Sequence, residues 1–266
     1  MSVIRTGTVV EFLFMIATVI ISWYILWGAI KGRKYALRSL PQFEAISDGV
    51  DRAVEQGLPV YVAPGAYSYL SGLYAPMTIA YLNILRHTAR LAVRRGAELR
   101  LPIAMNPETL PITDGIYREV CVAEGKPEAY HRENVFWSSQ EESAYSVGLA
   151  AQVNRTGCAT YVVVGALTGT GDINPTGTAR SRGAIVIGGT ARMRHQGTYA
   201  MLIDYLMVGP DLYAVAAQAS GDSVVISTIV SNDIIQTIFI VVFVVGLILA
   251  LAGMNIATPK TGLLVQ

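Results

Sequence analysis

The sequence predicts an α/β domain with a mainly parallel, doubly wound, Rossmann-like sheet of about seven strands, inserted between two transmembrane helices. Two long uncharged runs lie near the ends of the 266-residue chain. Between them, short apolar runs alternate with segments of helical periodicity, which is typical of βαβ units. These short runs are nearly all apolar, as expected for strands that are covered by helices on both faces of a sheet.

The composition favours membrane attachment. The chain is 52% hydrophobic and only 15% charged, whereas soluble domains carry about 25% charged residues. Phe12–Ile30 and Thr237–Met254 contain no charged residue. A helix rises about 1.5 Å per residue, so each run is long enough to cross a hydrocarbon core of roughly 30 Å. A cleaved signal peptide is disfavoured, since Lys31 and Arg33 follow the first run where a small-residue cleavage site would stand.

The flanking charges predict the orientation. Arg5 is the only basic residue before the first run, and Lys260 is the only one after the second. Four basic residues follow the first run at once: Lys31, Arg33, Lys34 and Arg38. The positive-inside rule therefore predicts a multi-pass cell-membrane protein with two helices, a cytoplasmic central domain and both termini external. The expected organisation is 1–34 for the first helix with its basic flank, 35–233 for the cytoplasmic α/β domain, and 234–266 for the second helix and a short external tail.

The central domain reads as strands and helices in alternation. Pro102 has no N–H to donate to a ladder, so an edge or a bulge is expected there, and Ser139 with Glu142 forms a predicted capping box. The expected strands are Leu58–Ala63, Leu99–Ala104, Asn134–Trp137, Ala159–Val164, Ala184–Ile187, Tyr205–Gly209 and Ser223–Thr228. The expected helices are 42–56, 76–95, 111–124, 140–155, 196–203 and 210–220.

The seventh predicted strand carries an argument about orientation. The second membrane helix begins about six residues after Thr228. If this strand is parallel to the others, the carboxyl ends of all strands point toward the bilayer. Open α/β folds bind their ligands at that edge, so the edge is expected to face lipid.

The stretch Gly165–Ala184, GALTGTGDINPTGTARSRGA, reads as a long glycine-rich loop between two strands. It has no Walker lysine, and Asn174 stands where a dinucleotide fingerprint needs its third glycine. We therefore expect no phosphate loop and interpret the region as a contact surface for lipid or a partner. The residues assigned to this contact are Gly169, Gly171, Arg180, Arg182 and Arg194.

A second pattern suggests an anion site. Gly188, Gly189 and Thr190 follow an apolar run and precede a predicted helix, and backbone N–H groups at such a position bind phosphate or carboxylate. With Arg192, Asn106 and Ser139 they form the predicted ligand-binding group. The alternative is that Thr190 only caps a helix, while the arginines are solvated or meet anionic lipid head groups.

Other chemistries lack a pattern. The two cysteines and three histidines have no metal-ligand spacing, and no nucleophile stands in a recognisable motif. We expect no catalytic residue, no metal and no cofactor. A net charge of +1 leaves no nucleic-acid footprint, and no internal repeat is evident.

Two functions remain open. The first is a non-enzymatic, membrane-anchored scaffold or self-assembling component of a membrane complex, with membrane lipids and further copies of the chain as partners. Small residues at Ala144, Val147, Gly148 and Ala151 give one predicted helix a face suited to close packing. The alternative is a membrane-bound sensor or enzyme that binds an anionic or lipid-derived small molecule at the carboxyl edge of the sheet.

Three segments carry a family resemblance. Val60–Gly65 is a strand followed by a Pro-Gly loop, Ile187–Arg192 reads IGGTAR, and Asp204–Ala216 reads DYLMVG-x-x-LYA-x-A. In this order they resemble an uncharacterised family of prokaryotic membrane-anchored proteins. The resemblance implies an α/β domain with membrane attachment, and it implies no activity.

Overall fold

The computed structural model describes residues 9–35 and 40–251. The chain divides into two compact units, one containing the first and last helices and the other spanning Arg38–Gly221, of which 40–221 are described. The helices are α1 (Val9–Ile30), α2 (Pro41–Gln56), α3 (Ala75–Arg95), α4 (Leu110–Ala123), α5 (Glu142–Thr156), α6 (Ile173–Ser181), α7 (Met193–Tyr199), α8 (Pro210–Ser220) and α9 (Ser223–Leu251). The strands are β1 (Val60–Pro64), β2 (Leu99–Ile103), β3 (Val135–Trp137), β4 (Thr160–Val164), β5 (Ile185–Thr190) and β6 (Tyr205–Val208).

The second unit is an α/β fold. Its six strands form a parallel sheet in the order β3-β2-β1-β4-β5-β6. Helices α2, α3, α4 and α8 contribute to the core on one face, with Ile46, Tyr81 and Leu212 among its buried side chains. Helices α5, α6 and α7 contribute to the other, where Tyr145 and Tyr199 are buried. The sheet is therefore covered on both sides, which explains why its strands are mostly apolar.

The prediction of a seventh strand is wrong. Ser223–Thr228 is the first part of α9, which runs for 29 residues. Gly221 ends α8 in a left-handed conformation with φ 67°, and Asp222 Oδ1 accepts a hydrogen bond from Val224 N at 2.8 Å. This capping starts a new helix, and the β-branched residues that favoured a strand continue into the apolar run. The orientation argument that rested on this strand loses its premise.

The predicted loop Gly165–Ala184 contains helix α6. Pro175 is the third residue of this helix, a position in the first turn where a proline does not remove an internal hydrogen bond. Thr176 N and Thr176 Oγ1 both donate to the Asp172 carbonyl, at 3.2 and 2.6 Å. Pro175 and Ala179 are buried, so tertiary packing stabilises a helix whose sequence has weak helical propensity.

Strand β2 changes its pairing partner near Pro102. Strand β2 pairs with β1 at Leu99 and Arg100, and with β3 from Leu101 to Ile103. The β1–β2 ladder thus ends before the residue that lacks an N–H. An interruption was expected at this position, although β2 lies inside the sheet and not at its edge.

The first unit consists of apolar helices. The segment Ser223–Ile248 of α9 is long and apolar enough to cross a membrane, and very little of it is buried. In α1 the described apolar stretch, Phe14–Ile30, is shorter. The two helices contact each other, with 4.3 Å between the ring centroids of Phe14 and Phe239 and 3.0 Å between the hydroxyl oxygens of Ser22 and Ser231. Of the charges used to predict the orientation, Arg5, Arg38 and Lys260 lie outside the described residues.

Candidate functional site at the carboxyl edge of the sheet

The strand order creates a switch point between β1 and β4. The chain leaves β1 toward β2 on one side and β4 toward β5 on the other, so the two connections diverge above the carboxyl ends of adjacent strands. Doubly wound folds bind ligands in the crevice that this divergence opens. The site is therefore built from the loops that follow Pro64 and Val164.

The ends of β1 and β4 and the loops that follow them carry a short repeat that is not among the predicted features. The residues YVAPGA (61–66) and YVVVGA (161–166) lie side by side, because Tyr61 pairs with Tyr161 in the ladder. A Cβ on Gly65 would lie 2.5 Å from the backbone carbon of Ala166. Gly165 has φ 139°, and a Cβ there would lie 2.9 Å from Gly65 N. Both positions therefore need glycine for the loops to touch, and a search for spaced tyrosine–glycine pairs would have revealed the repeat.

A carboxylate occupies the crevice. The Asp172 side chain is fully buried. Its oxygens accept hydrogen bonds from Ala66 N at 3.2 and 3.0 Å and from Thr168 N at 2.8 Å. Burial raises the pKa of Asp172 to about 7, against the lowering effect of the two backbone N–H donors, and the neighbouring Glu142 raises it further. The backbone N–H groups of both loops are thus bound to a side chain of the chain itself.

A second carboxylate lies beside the first. Glu142 Oε1 accepts from Gly171 N at 3.0 Å and its Oε2 accepts from the Tyr67 hydroxyl at 3.3 Å. The predicted capping box is therefore wrong. Glu141 is the N-cap of α5 and accepts from Ser143 N and Ala144 N. Glu142 is instead the first residue of the helix, and its side chain reaches across to the β4–α6 loop.

Aromatic rings and a guanidinium lie at the mouth of the crevice. We call Tyr67, Tyr69, Tyr74 and Arg192 the tyrosine–arginine cluster. The rings of Tyr67 and Tyr74 stack with centroids 6.0 Å apart, and the Arg192 guanidinium lies 5.4 and 5.2 Å from these two centroids. Arg192 Nη1 also donates to the Leu167 carbonyl at 2.9 Å. Partial burial, and next the charge of Arg192, lower the pKa of the adjacent His195.

The glycines of the predicted anion site lie within a strand. Gly188 and Gly189 belong to β5 and pair with β4 and β6. A Cβ on Gly188 would lie 1.9 Å from the Val163 carbonyl oxygen, and one on Gly189 would lie 2.0 Å from that of Met207. Close packing of the neighbouring strands accounts for both glycines, because neither position has room for a side chain. Thr190 is buried, and its Oγ1 accepts from Arg192 N at 3.2 Å.

The remaining members of the predicted ligand-binding group are divided by the switch point. Asn106 follows β2, where its Oδ1 accepts from Glu108 N at 3.3 Å. Ser139 follows β3, where its Oγ accepts from Glu141 N at 3.0 Å. Both lie at the carboxyl edge as predicted, whereas Arg192 follows β5 on the other side of the switch point. A shared ligand for this group stays a prediction.

The predicted contact group is split between the two edges of the sheet. Gly169 and Gly171 lie in the β4–α6 loop, and Arg194 lies in α7, near the carboxyl edge. Arg180 and Arg182 lie at the far end of α6, just before β5 begins. Arg180 pairs with Asp204 at 3.1 Å, and Arg182 donates to the Asn154 side chain. These two arginines therefore do not form one surface with the glycines.

The described residues offer no group of three or more His, Cys, Asp or Glu that would hold a metal ion. Cys121 and Cys158 are buried and form no disulfide. Burial raises the pKa of the Cys158 thiol to about 12, so it is protonated at neutral pH and a poor nucleophile.

These observations define a class: a doubly wound α/β unit, linked to an apolar helix long enough to span a membrane, with its switch point closed by its own carboxylates. The chain belongs to the family described as Domain of unknown function (DUF6754), which matches residues 1–261. This match confirms the resemblance to an uncharacterised family. No curated protein and no solved structure matches the chain.

Proposed function

We propose that the chain is a non-enzymatic, membrane-anchored scaffold that assembles with further copies of itself in a membrane complex. The observation that carries this proposal is the carboxylate of Asp172 in the switch-point crevice. A doubly wound enzyme needs this crevice for its ligand. Here the chain itself supplies the occupant.

The hydrogen bonds explain why the crevice disfavours an anionic ligand. A phosphate cradle needs unpaired backbone N–H groups. Ala66 N and Thr168 N are bound to Asp172, and Gly171 N is bound to Glu142. A phosphate would have to displace the carboxylates of Asp172 and Glu142 from these N–H groups. A displaced carboxylate that stayed ionised near the phosphate would repel it.

The outer face of α5 supports assembly. The small-residue face that the sequence predicts to pack closely is exposed, while Tyr145, Leu149 and Val153 bury the opposite side. A groove of about 680 Å³ runs between α5 and α6, with Val147, Ala151 and Gly177 in its lining. We propose that this α5 face binds a second copy, since small side chains let two helices approach closely.

Membrane attachment is the other part of the proposal. We propose that α1 and α9 both span the bilayer, with the α/β unit in the cytoplasm and both termini outside. The supporting observations are the apolar length of α9 and the basic residues that follow α1, of which Lys31, Arg33 and Lys34 are described and exposed.

Blue-native electrophoresis of the detergent-extracted full chain tests assembly. The expected result is a discrete species larger than a monomer, which Val147→Arg reduces in size. Val122→Arg is the matched control, because Val122 is equally exposed, at 61% against 62%, at the end of α4. A monomer for the unsubstituted chain contradicts the proposal.

A second candidate function rests on the tyrosine–arginine cluster. Arg192 and the tyrosine rings offer a cation and stacking faces at the carboxyl edge, which suits an anionic or lipid-derived small molecule. A thermal-shift screen with inorganic phosphate, nucleotides and sugar phosphates tests this function. A specific stabilisation that Arg192→Ala abolishes would favour it over the scaffold. The absence of any shift would leave the scaffold as the better account.

A further inference from the structure

We propose that a cavity between α1 and α9 binds the hydroxyl group of a neutral lipid alcohol. The cavity has a volume of about 400 Å³, which is within the range of roughly 300–1,000 Å³ that small-molecule sites occupy. The inference rests on the membrane attachment in the proposed function and adds a ligand to the scaffold. We call the site the hydroxyl cavity, because five hydroxyl side chains contribute to its lining: Thr18, Ser22, Ser227, Thr228 and Ser231.

The sequence spacing of these residues places them on facing surfaces of the two helices. Thr18 and Ser22 are four residues apart in α1, and Ser227 and Ser231 are four residues apart in α9. Residues at this spacing share one face of a helix. Helix α1 contains no other serine or threonine, so its hydroxyl groups of this kind are all directed to the cavity. The ring and hydroxyl contacts described above show that the two helices run antiparallel.

The existing hydrogen bonds leave several acceptors and one donor in the cavity. Thr18, Ser227 and Thr228 each donate to a backbone carbonyl three residues earlier in the same helix, at 2.8, 2.7 and 2.7 Å. Ser231 Oγ donates to Ser22 Oγ at 3.0 Å. A hydroxyl oxygen that donates still has lone pairs with which to accept. The hydroxyl hydrogen of Ser22 has no acceptor among the described residues, so it is available to a ligand.

A ligand hydroxyl group complements this arrangement, because it can accept from Ser22 and donate to a neighbouring hydroxyl oxygen. A quinone or ester carbonyl only accepts, so it would leave the acceptors of the cavity unused. A charged head group would lack a counter-ion, since no charged side chain of the described residues lines the cavity. An unpaired charge between apolar helices is costly. The lining therefore favours a neutral alcohol.

The remaining lining residues are apolar, and they leave one side of the cavity open. Val19, Trp23 and Leu26 complete the lining, and the side chains of Val19 and Trp23 are 62% and 67% exposed. An apolar tail can therefore extend from the cavity along the exposed helix surface while the hydroxyl group stays inside. In hydrocarbon an isolated hydroxyl group has no hydrogen-bond partner, which favours its transfer into the cavity.

A helix from a second copy is a poorer occupant of this cavity. The backbone N–H and C=O groups of a helix already bond to each other. Such a helix would fill the space but would leave the Ser22 donor and the surrounding acceptors without a partner. A lipid alcohol satisfies both the apolar walls and the hydroxyl groups.

Photocrosslinking of the full chain in phosphatidylcholine nanodiscs tests the proposal. The probe is a long-chain alcohol that carries a photoreactive diazirine and an alkyne tag, and the matched probe is its methyl ether, which keeps the oxygen but cannot donate. Mass spectrometry of the labelled peptides should locate the alcohol at the cavity-lining parts of α1 and α9. Labelling there by the ether should be weaker by roughly threefold to tenfold, which is the usual effect of one hydrogen bond.

Two substitutions in the cavity and one control identify the groups that bind. Thr18→Val removes a hydroxyl group and keeps the shape of the side chain, and Ser22→Ala removes the available donor. Thr237→Val is the matched control, because Thr237 also donates to a backbone carbonyl of its own helix, at 2.8 Å, but does not line the cavity. Each cavity variant should reduce labelling by the alcohol toward the level of the ether, whereas Thr237→Val should label as the unsubstituted chain does.

The other outcomes overturn the inference. Equal labelling by the alcohol and the ether excludes recognition of a hydroxyl group, and this comparison needs only the unsubstituted chain. Labelling spread evenly along α1 and α9, and unchanged in both cavity variants, indicates general lipid contact only. Labelling that disappears when each disc holds two chains would make a second copy the occupant. These results leave membrane attachment intact, whereas a chain that fails to enter nanodiscs contradicts the attachment itself and the lipid site with it.

Discussion

The two edges of the parallel sheet use their charged residues differently. At the amino edge and along the helices that lead to it, basic and acidic side chains pair with each other, as in Arg94 with Glu124 at 2.5 Å and Arg180 with Asp204 at 3.1 Å. At the carboxyl edge, Asp172, Glu142 and Glu141 instead accept from backbone N–H groups. Apolar side chains remain exposed between them.

The amino-edge charges are mostly exposed and paired with each other, whereas the carboxyl-edge carboxylates satisfy backbone N–H groups of the chain itself. Exposed ion pairs contribute little stability and mainly keep a surface hydrated. Buried carboxylates that satisfy loop amides are costly to remove, because each amide left without a partner carries a desolvation penalty. Substitutions at the two edges should therefore differ in size.

The largest effect is expected from Asp172→Ala. It leaves the buried amides of Ala66 and Thr168 without a partner, which costs about 1–3 kcal/mol for each amide. The thermal midpoint of the full chain in detergent should fall by on the order of 10 °C. A midpoint within a degree or two of the unsubstituted chain would show that the carboxylate is not the occupant of the crevice.

The pH dependence of stability isolates the same carboxylate. Its pKa is raised from 3.8 to about 7 in the folded chain, so the folded chain holds a proton that the unfolded chain releases. The stability that this group contributes is fully present below about pH 4 and is lost as pH rises through about 7. Burial lowers the pKa of His87 to about 4, which gives the opposite slope over part of this range.

The difference between the unsubstituted chain and Asp172→Asn therefore carries the signal, since His87 is common to both. Melting curves from pH 4 to 8 should show that the unsubstituted chain loses stability with rising pH relative to the asparagine variant, by on the order of a few kcal/mol. Parallel curves for the two proteins would contradict the assignment.

An intermediate effect is expected from Gly188→Ala. Its Cβ would meet the Val163 carbonyl oxygen at 1.9 Å, and such overpacking costs about 1–3 kcal/mol. Gly115→Ala in α4 is the control, because a Cβ there meets nothing within 4 Å and alanine is the better helix former. If Gly188→Ala melts at the same temperature as the unsubstituted chain, the strand-packing account of this glycine is wrong and its predicted ligand role regains support.

The smallest effect is expected at the ion pairs. Arg86 and Glu119 lie 2.6 Å apart, and both side chains are more than a third exposed. Glu119→Gln should change stability by no more than about 1 kcal/mol, and added salt should reduce even this difference. A destabilisation as large as that of Asp172→Ala, measured in the same melting experiment, would remove the distinction between the two edges.

Much of the fold could be predicted because local signals and tertiary context agree. The strand Thr160–Val164 is mostly apolar, and a helix begins at Pro210 and ends at Ser220, as the sequence indicates. The strand predicted at Ser223–Thr228 fails for a local reason, because its β-branched residues favour a strand while the Asp222 cap starts a helix. The prediction from local sequence also fails where other contacts determine the secondary structure. Helix α6 has poor propensity and needs burial of Pro175 and Ala179.

The candidate site was less predictable for the same reason. Asp172 reads as one of several scattered acids, and its role depends on an amide 106 residues earlier in the chain. Gly188 and Gly189 are predicted to hold an anion because local sequence does not reveal the neighbouring strands that a side chain at either position would meet. Arg192 was placed at the correct edge, but the tyrosines around it follow a different strand.

Native mass spectrometry of the full chain released from nanodiscs tests the central claim most directly, because one spectrum reports both copy number and any bound small molecule. The account predicts an assembly of two or more chains, each at the mass of its 266 residues, with lipid as the sole adduct. A monomer that carries one nucleotide, sugar phosphate or other small anionic ligand per chain would contradict it.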